Sequence, residues 1–471
     1  MRPAFVDSHA HLTSGEFDAD RDEVIRRALD AGVTAIVNPA TNLDDSRKAV
    51  ELADAYPEVY ACVGFHPHDA RLADESSLRE IEELSRHPKV VAIGEIGLDF
   101  HYDTSPRDAQ ERVFQAQLEI ARRRDLPVVI HTRDSFEQTL AIVAAALRAA
   151  PAWRSRRMTP DGRSAVPKGV FHCFPGDVPD AWRVIDAGFC VSLPGVVTFK
   201  NPGFAARVAG SVSCEHLLLE TDSPYLAPVP RRGTRNEPAN IPLIAQAIAS
   251  LQHLSSEDVG RTTNYTALRL FGIGTMPQPR FTYTLRDSLY VNLTIRCNAD
   301  CVFCDRKGDA VIKGHNLKID REPSVEEVIG EIGDPTRYAE IVFCGYGEPT
   351  IRLEALKEIA RWVKQKGGKT RLNTDGHGSV INKRNIVPEL VGLLDAVSIS
   401  LNTTDPVQYG ELMRIDGPRF FQAMVEFAKE SARLLPKVVM TIVDLDEVDG
   451  EKARAFVEKE IGALFSTRPY F

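Results

Sequence analysis

An alternation that recurs eight times within roughly the first 270 residues constrains this chain more than any other feature: a short apolar run, a polar turn, then an amphipathic helical stretch. The apolar runs cover residues 4–6, 35–37, 59–63, 90–93, 127–130, 169–171, 189–192 and 217–219. Between them the hydrophobic period lengthens from strand to helix, as over 22–29, which Gly32 stops, and over 107–124. Eight such units predict an α/β fold, an N-terminal (β/α)8 TIM barrel.

The residues directly after the runs carry the chemistry. The first run leads into Asp7, His9 and His11, the third into His66 and His68, the fourth into Glu95, the fifth into His131, the sixth into His172, and the eighth into Glu220 and Asp222. In a TIM barrel the C-terminal strand ends face one cavity, so these distant residues converge there. His9 and His11 alternate along an extended chain and can point the same way. A lone strand histidine is ordinarily a core or surface residue, but His9, His11, Glu95, His131, His172 and Asp222 together form a donor set for Zn, Mn or Mg. The set is large enough for two divalent cations sharing one carboxylate, an arrangement that acidifies a water and clamps attacking and leaving oxygens.

At 471 residues the chain exceeds the size at which one core stops growing, so two domains are expected. Its 43% apolar and 26% charged composition is that of a soluble enzyme. No long apolar run appears and the start leads directly into polar sequence, so a cytoplasmic protein with no membrane contact is expected. A net charge of -9 excludes a nucleic-acid binder that works by bulk basicity, so any such contact is local. Arg231, Arg232 and Arg235 come after the eighth run and suit phosphate oxygens, although a solvated basic loop reads the same way. The basic stretch 154–168 precedes the sixth run and belongs to the opposite end of the barrel. His66 and Glu220 stand where a substrate or supporting residue would.

Phe5-Val6-Asp7-Ser8-His9-Ala10-His11-Leu12, Gly94-Glu95-Ile96-Gly97-Leu98-Asp99, Val129-Ile130-His131-Thr132-Arg133, Phe171-His172-Cys173-Phe174, Leu219-Glu220-Thr221-Asp222-Ser223-Pro224-Tyr225-Leu226 and Arg235-Asn236-Glu237-Pro238-Ala239 resemble the signatures of the TatD family, in its order. The resemblance spans roughly 1–273. It implies that His9, His11, Glu95 and Asp222 hold one cation and that Glu95, His131 and His172 hold the second, with Glu95 and Asp222 as the catalytic carboxylates and Asp222, a ligand next to the reacting water, as candidate proton acceptor. It also implies a metal-dependent DNase or 3′-exonuclease acting on nucleic acid, DNA ahead of RNA, with a D-aminoacyl-tRNA deacylase or a small-molecule ester or amide hydrolase as the alternative.

Glycines and prolines over 274–281 then break the helical pattern as a linker does, and a new domain is expected over 282–471. Its first strand runs into Cys297, Cys301 and Cys304, three of the eight cysteines. Cys62, Cys173, Cys190 and Cys214 sit singly in or beside apolar segments and read as buried core residues. Three thiolates at this spacing can ligate three irons of a 4Fe-4S cubane and leave the fourth open, whereas structural zinc wants four protein ligands. Six strands with intervening helices, including a capping box at Ser324-Val325-Glu326-Glu327, suggest an open partial (β/α)6 barrel.

This segment resembles the radical S-adenosylmethionine superfamily, with Phe303 before the third cysteine and Gly345-Tyr346-Gly347-Glu348-Pro349 in place of its glycine-rich motif. The resemblance implies S-adenosylmethionine contacts by Phe303, Gly345, Gly347 and Glu348, with Asn373, Ser400 and Asn402 as strand-end candidates. Tyr346 interrupts the glycine pair, a departure from the pattern. It further implies a reduced cluster that cleaves the cofactor to a 5′-deoxyadenosyl radical, an electron donor such as flavodoxin or ferredoxin, and a radical enzyme fused to its hydrolase partner. The sequence names neither the radical substrate nor the oligomeric state.

Overall fold

The computed structural model describes residues 4–153, 166–445 and 447–468. Most of the basic stretch 154–168 lies outside the described residues. The chain divides between Met276 and Pro277 into two compact units.

In the first unit, β1 (Phe5–Asp7), β2 (Val33–Pro39), β3 (Val59–Val63), β4 (Val90–Asp99), β5 (Val128–Arg133), β6 (Gly169–Phe171), β7 (Cys190–Leu193) and β8 (Leu217–Leu219) pair in sequence order, every neighbour parallel. Ser8 N donates to Leu219 O at 2.9 Å and Asp222 N to His9 O at 2.9 Å, which brings the last strand back to the first. This is the expected TIM barrel.

The strand ends are held by their helices. Helix Arg107–Arg124 buries Gln110, Val113, Phe114, Gln117, Leu118 and Ala121, the stripe that three- and four-residue spacing predicts. Its two glutamines are not packing errors. Gln117 bonds both backbone groups of Phe65, and Gln110 bonds both backbone groups of Asp99, so the helix fixes the exits of β3 and β4. The β4–β5 register shifts between Ile93 and Ile96, so Glu95 sits at an irregularity inside a strand that continues to Asp99 instead of coming after the strand's end.

The second unit is built on β9 (Thr282–Leu285), β10 (Ser288–Val291), the small hairpin β11 (Val311–Ile312) and β12 (His315–Asn316), then β13 (Ile341–Phe343), β14 (Thr370–Thr374), β15 (Ala396–Ser400), β16 (Val438–Val443) and β17 (Leu464–Arg468). The main sheet runs β17-β16-β15-β14-β13-β10-β9. Six of its strands are parallel, as an open (β/α)6 barrel requires, and β9 is an added antiparallel edge. Sequence reading missed β9 because only the two residues Arg286 and Asp287 separate it from β10. The helix side of the sheet carries the core residues Leu289, Ile341, Phe343, Leu372, Val397, Ile399 and Met440. The opposite side presents Arg371, Asn373, Ser398 and Ser400, all partly exposed. Ser324 caps helix Val325–Ile332 with both bonds of the capping box. Among the described residues no helix is long and apolar enough to cross a membrane.

Candidate metal centre and cysteine site

In the barrel, Glu95 is the hub. Its Oε2 lies 3.3 Å from His9 Nε2 and 3.8 Å from His11 Nε2, while its Oε1 lies 2.8 Å from His131 Nδ1 and 2.7 Å from His172 Nε2. Asp222 Oδ1 completes the first side, 3.5 Å from His11 Nε2 and 3.7 Å from His9 Nε2. All six sequence-predicted ligands thus meet, with two histidine sets on opposite oxygens of one buried carboxylate. Imidazole nitrogens facing each other at 3.2 Å across His9 and His11, beside two carboxylates, are a donor set that fits divalent cations.

Burial alone would raise the Glu95 carboxyl, but His172, His66 and His9 outweigh it and hold it well below the usual range. Burial would lower His131 and His11, yet Asp99 and Glu95 carry His131 to about 9, and Asp222 and Glu95 carry His11 to about 9. Burial and His172 push His9 down to about 4.

Other predicted residues take different places. His66, expected at substrate, points Nε2 at Glu95 Oε1 across 3.4 Å, within the donor cluster itself. Glu220 has no exposed surface; its carboxylate accepts from Ser192 Oγ and Cys173 N, each at 2.6 Å, behind His172. Substrate contact by Glu220 is therefore replaced by support of the His172 wall, and burial raises its carboxyl to about 7. Arg235 forks onto Asp20 at 2.8 and 2.7 Å and bonds Glu16 O, so its guanidinium is committed within the protein. Arg232 stacks on Phe199 at 3.9 Å, and neither it nor Arg231 lines the cleft over the centre. Cys62, Cys190 and Cys214 are core residues as expected, whereas Cys173 lines the cleft.

The cleft encloses about 1150 Å³ and is lined by His68, placed there by the sequence, and by residues to which sequence reading assigned no role: Lys48, Asp99, Tyr102, Arg133 and Tyr225. Asp99 Oδ2 lies 3.1 Å from His131 Nε2 and 3.0 Å from His68 Nε2. Strand alternation could have found it, since Asp99 lies on the face of β4 that carries Glu95, as Arg133 lies on the His131 face of β5.

In the second unit all three clustered cysteines are unpaired and half-buried. Cys301 Sγ lies 3.3 Å from Met413 Sδ, and Asn402 Nδ2 donates to that sulfur at 3.1 Å. Asn402 Oδ1 is buried without a partner, an acceptor awaiting a donor. The glycine turn is a cradle: a Cβ on Gly347 would stand 2.2 Å from Thr294 O and one on Gly345 2.2 Å from Asn292 Oδ1. Three free thiols beside an orphaned acceptor and a glycine cradle fit a cysteine-ligated cluster with a polar ligand. Burial first, then the neighbouring Cys304 and Cys297, push the Cys301 thiol up.

The Glu348 carboxylate is buried and braces the turn: its Oε1 accepts from Thr350 N, Thr350 Oγ1 and Thr374 Oγ1, and its Oε2 from Asp375 N. Asn373 Oδ1 accepts from Arg371 and Ser400 Oγ from Arg468, both on the open side of the sheet, and Phe303 packs against the core. Cys344, beyond β13, is half-buried.

Residues 6–272 match the family model described as TatD related DNase, and residues 291–459 match that of the radical SAM superfamily. An uncharacterized metal-dependent hydrolase, YabD of Bacillus subtilis, is 39% identical over 267 residues, 57% of this chain and 98% of that protein. The 3′-5′ ssDNA/RNA exonuclease TatD of Escherichia coli K12 is 35% identical over 272 residues, again 57% of this chain and 98% of its own length. The solved structure of YjjV, a TatD homologue from Escherichia coli K12, superposes with a TM-score of 0.52 at 26% identity, covering 58% of this chain and 100% of that one. The chain belongs to the TatD-related DNase family through its metal-dependent hydrolase barrel and carries a radical SAM domain in the same polypeptide.

Proposed function

We propose that the barrel, residues 1–273, is a 3′-exonuclease that removes nucleotides from single-stranded nucleic acid, DNA ahead of RNA. Residues 282–471 then form a radical enzyme joined to it by the linker 274–281. The observation that carries the hydrolase reading is the division of Glu95, with His9 and His11 on one oxygen and His131 and His172 on the other. His9, His11, Glu95 and Asp222 would hold one cation and Glu95, His131 and His172 the other, each of Mg, Mn or Zn. When bound, the pair supplies an acidified water and positive charge against the phosphodiester. Asp222 is the proton acceptor: His11 and His9 outweigh its burial and hold it ionised. Asp99 orients His131, and Glu220 with Ser192 backs His172.

In the second domain Cys297, Cys301 and Cys304 would hold the 4Fe-4S cluster, and Asn402 with the Gly345–Gly347 turn would border S-adenosylmethionine. Cluster and cofactor together supply one-electron cleavage and hydrogen abstraction, with an electron donor of the flavodoxin or ferredoxin kind. The chain's own part is to orient the cofactor and exclude water.

The test is the length ladder from end-labelled single-stranded DNA and its RNA equivalent across added Mg, Mn and Zn, with Glu95→Ala alongside. Stepwise shortening from the 3′ end that Glu95→Ala abolishes is expected. Metal binding without cleavage of either strand would overturn the nuclease reading in favour of an acyl or small-molecule hydrolase.

A further inference from the structure

Two tyrosines stand on opposite flanks of the donor cluster with most of their rings in solvent. Tyr102 is 58% exposed and Tyr225 56% exposed, and both line the cleft. Tyr225 lies beside the first histidine set, 6.2 Å from the His11 ring. Tyr102 lies beside the second, 5.4 Å from the His68 ring, which bonds Asp99 behind His131.

Each ring is tied to the site through its backbone. Tyr102 N donates to Asp99 Oδ1 at 3.0 Å; Tyr225 N donates to Asp222 O at 2.9 Å, and its carbonyl accepts from Asn236 Nδ2 at 2.7 Å. A single exposed tyrosine is ordinary, but a tethered aromatic on each side of a polar centre is a preorganised pair of apolar platforms. The basic groups agree. Arg133 stacks on Tyr102 at 4.7 Å, Lys48 lines the same cleft, and among the described residues neither is paired with a carboxylate. Phosphate oxygens are natural partners for both.

We propose that Tyr225 and Tyr102 stack the two bases that flank the scissile phosphodiester, with Arg133 and Lys48 on neighbouring phosphates. The assignment rests on the nuclease reading and deepens it: the substrate is a strand end whose last two bases are unstacked and splayed apart. A duplex end, with its bases paired, cannot offer both faces. Stacking on an aromatic face is indifferent to base identity, so shortening proceeds through any sequence.

The experiment is a base-deletion cycle on the full-length chain. Binding of a 5′-labelled oligothymidylate and of the same strand with abasic units at its last two 3′ positions is followed by anisotropy in a Glu95→Gln background, and shortening of both strands is followed in the active chain. Tyr102→Ala and Tyr225→Ala are each expected to weaken the intact strand by at least about 5-fold and to leave the abasic strand within about 2-fold, while Tyr102→Phe and Tyr225→Phe restore binding. Equal weakening on both strands, or no weakening on either, overturns the stacking assignment alone. If the unsubstituted chain neither binds nor shortens either strand, the nuclease reading falls and the assignment with it.

Discussion

Asp99 takes two histidines on one oxygen, His131 at 3.1 Å and His68 at 3.0 Å, and so fixes which nitrogen of His131 faces Glu95. Residues that orient a ligating imidazole are typically worth about 10- to 100-fold in metal affinity. Asp99→Asn is therefore expected to weaken one of two cation-binding steps by about that factor and to spare the other, as titration calorimetry of the metal-stripped protein would register. Equal affinities in variant and parent would remove Asp99 from that role. Glu348 gives the second domain a pH signature. Burial and the nearby Asp375 raise its carboxyl from the ordinary 4.5 to about 8, so the folded state holds its proton more tightly than the unfolded state does. The associated stability is fully present below pH 4.5 and is lost as pH rises to about 8. In calorimetry the melting transition that Glu348→Gln moves should fall with pH across that window in the parent and run flatter in the variant.

At the scale of elements, the cysteine loop and the glycine turn are one unit. Gly347 lies against Thr294 O and Arg296 O, where a Cβ would stand 2.2 and 2.6 Å away, and Glu348 N donates to Arg296 O at 2.9 Å. Both contacts are backbone and cannot swing aside. Gly347→Ala must then displace the chain entering Cys297, so iron retained after reconstitution should fall well below that of the parent while the barrel's hydrolysis is unchanged. Full iron loading of the variant would dissociate the turn from the cluster loop. In the barrel the corresponding device is helix Arg107–Arg124, whose Gln110 and Gln117 clamp the exits of β4 and β3.

At the scale of the whole chain, each unit owns its core, from Phe5 to Ile273 in one and from Leu289 to Ile461 in the other. The 57% of the chain that matches YabD covers 98% of that protein, so the barrel is as long as a relative that stands alone. Residues 1–273 expressed by themselves should fold and hydrolyse with the metal dependence of the full chain. An inactive or aggregated fragment would mean that the second unit completes the first.

The sequence determined by itself what is local and periodic: eight apolar runs, five of them leading into the ligand set, the ends of helix Arg107–Arg124, the capping box at Ser324 and the spacing of Cys297, Cys301 and Cys304. Period and spacing survive without coordinates because they arise from backbone geometry. Which side chains reach the cleft was decided only by the tertiary structure. Arg235 comes after the last strand as a phosphate ligand would, yet Asp20, 215 residues away in sequence, claims its guanidinium. Glu220 looks like a site carboxylate in sequence, but distant donors on other strands and loops take up its oxygens. Asp99 and the two tyrosines gain meaning only from what stands opposite them, because partners far apart in sequence are set by how the barrel closes and leave no local pattern to read.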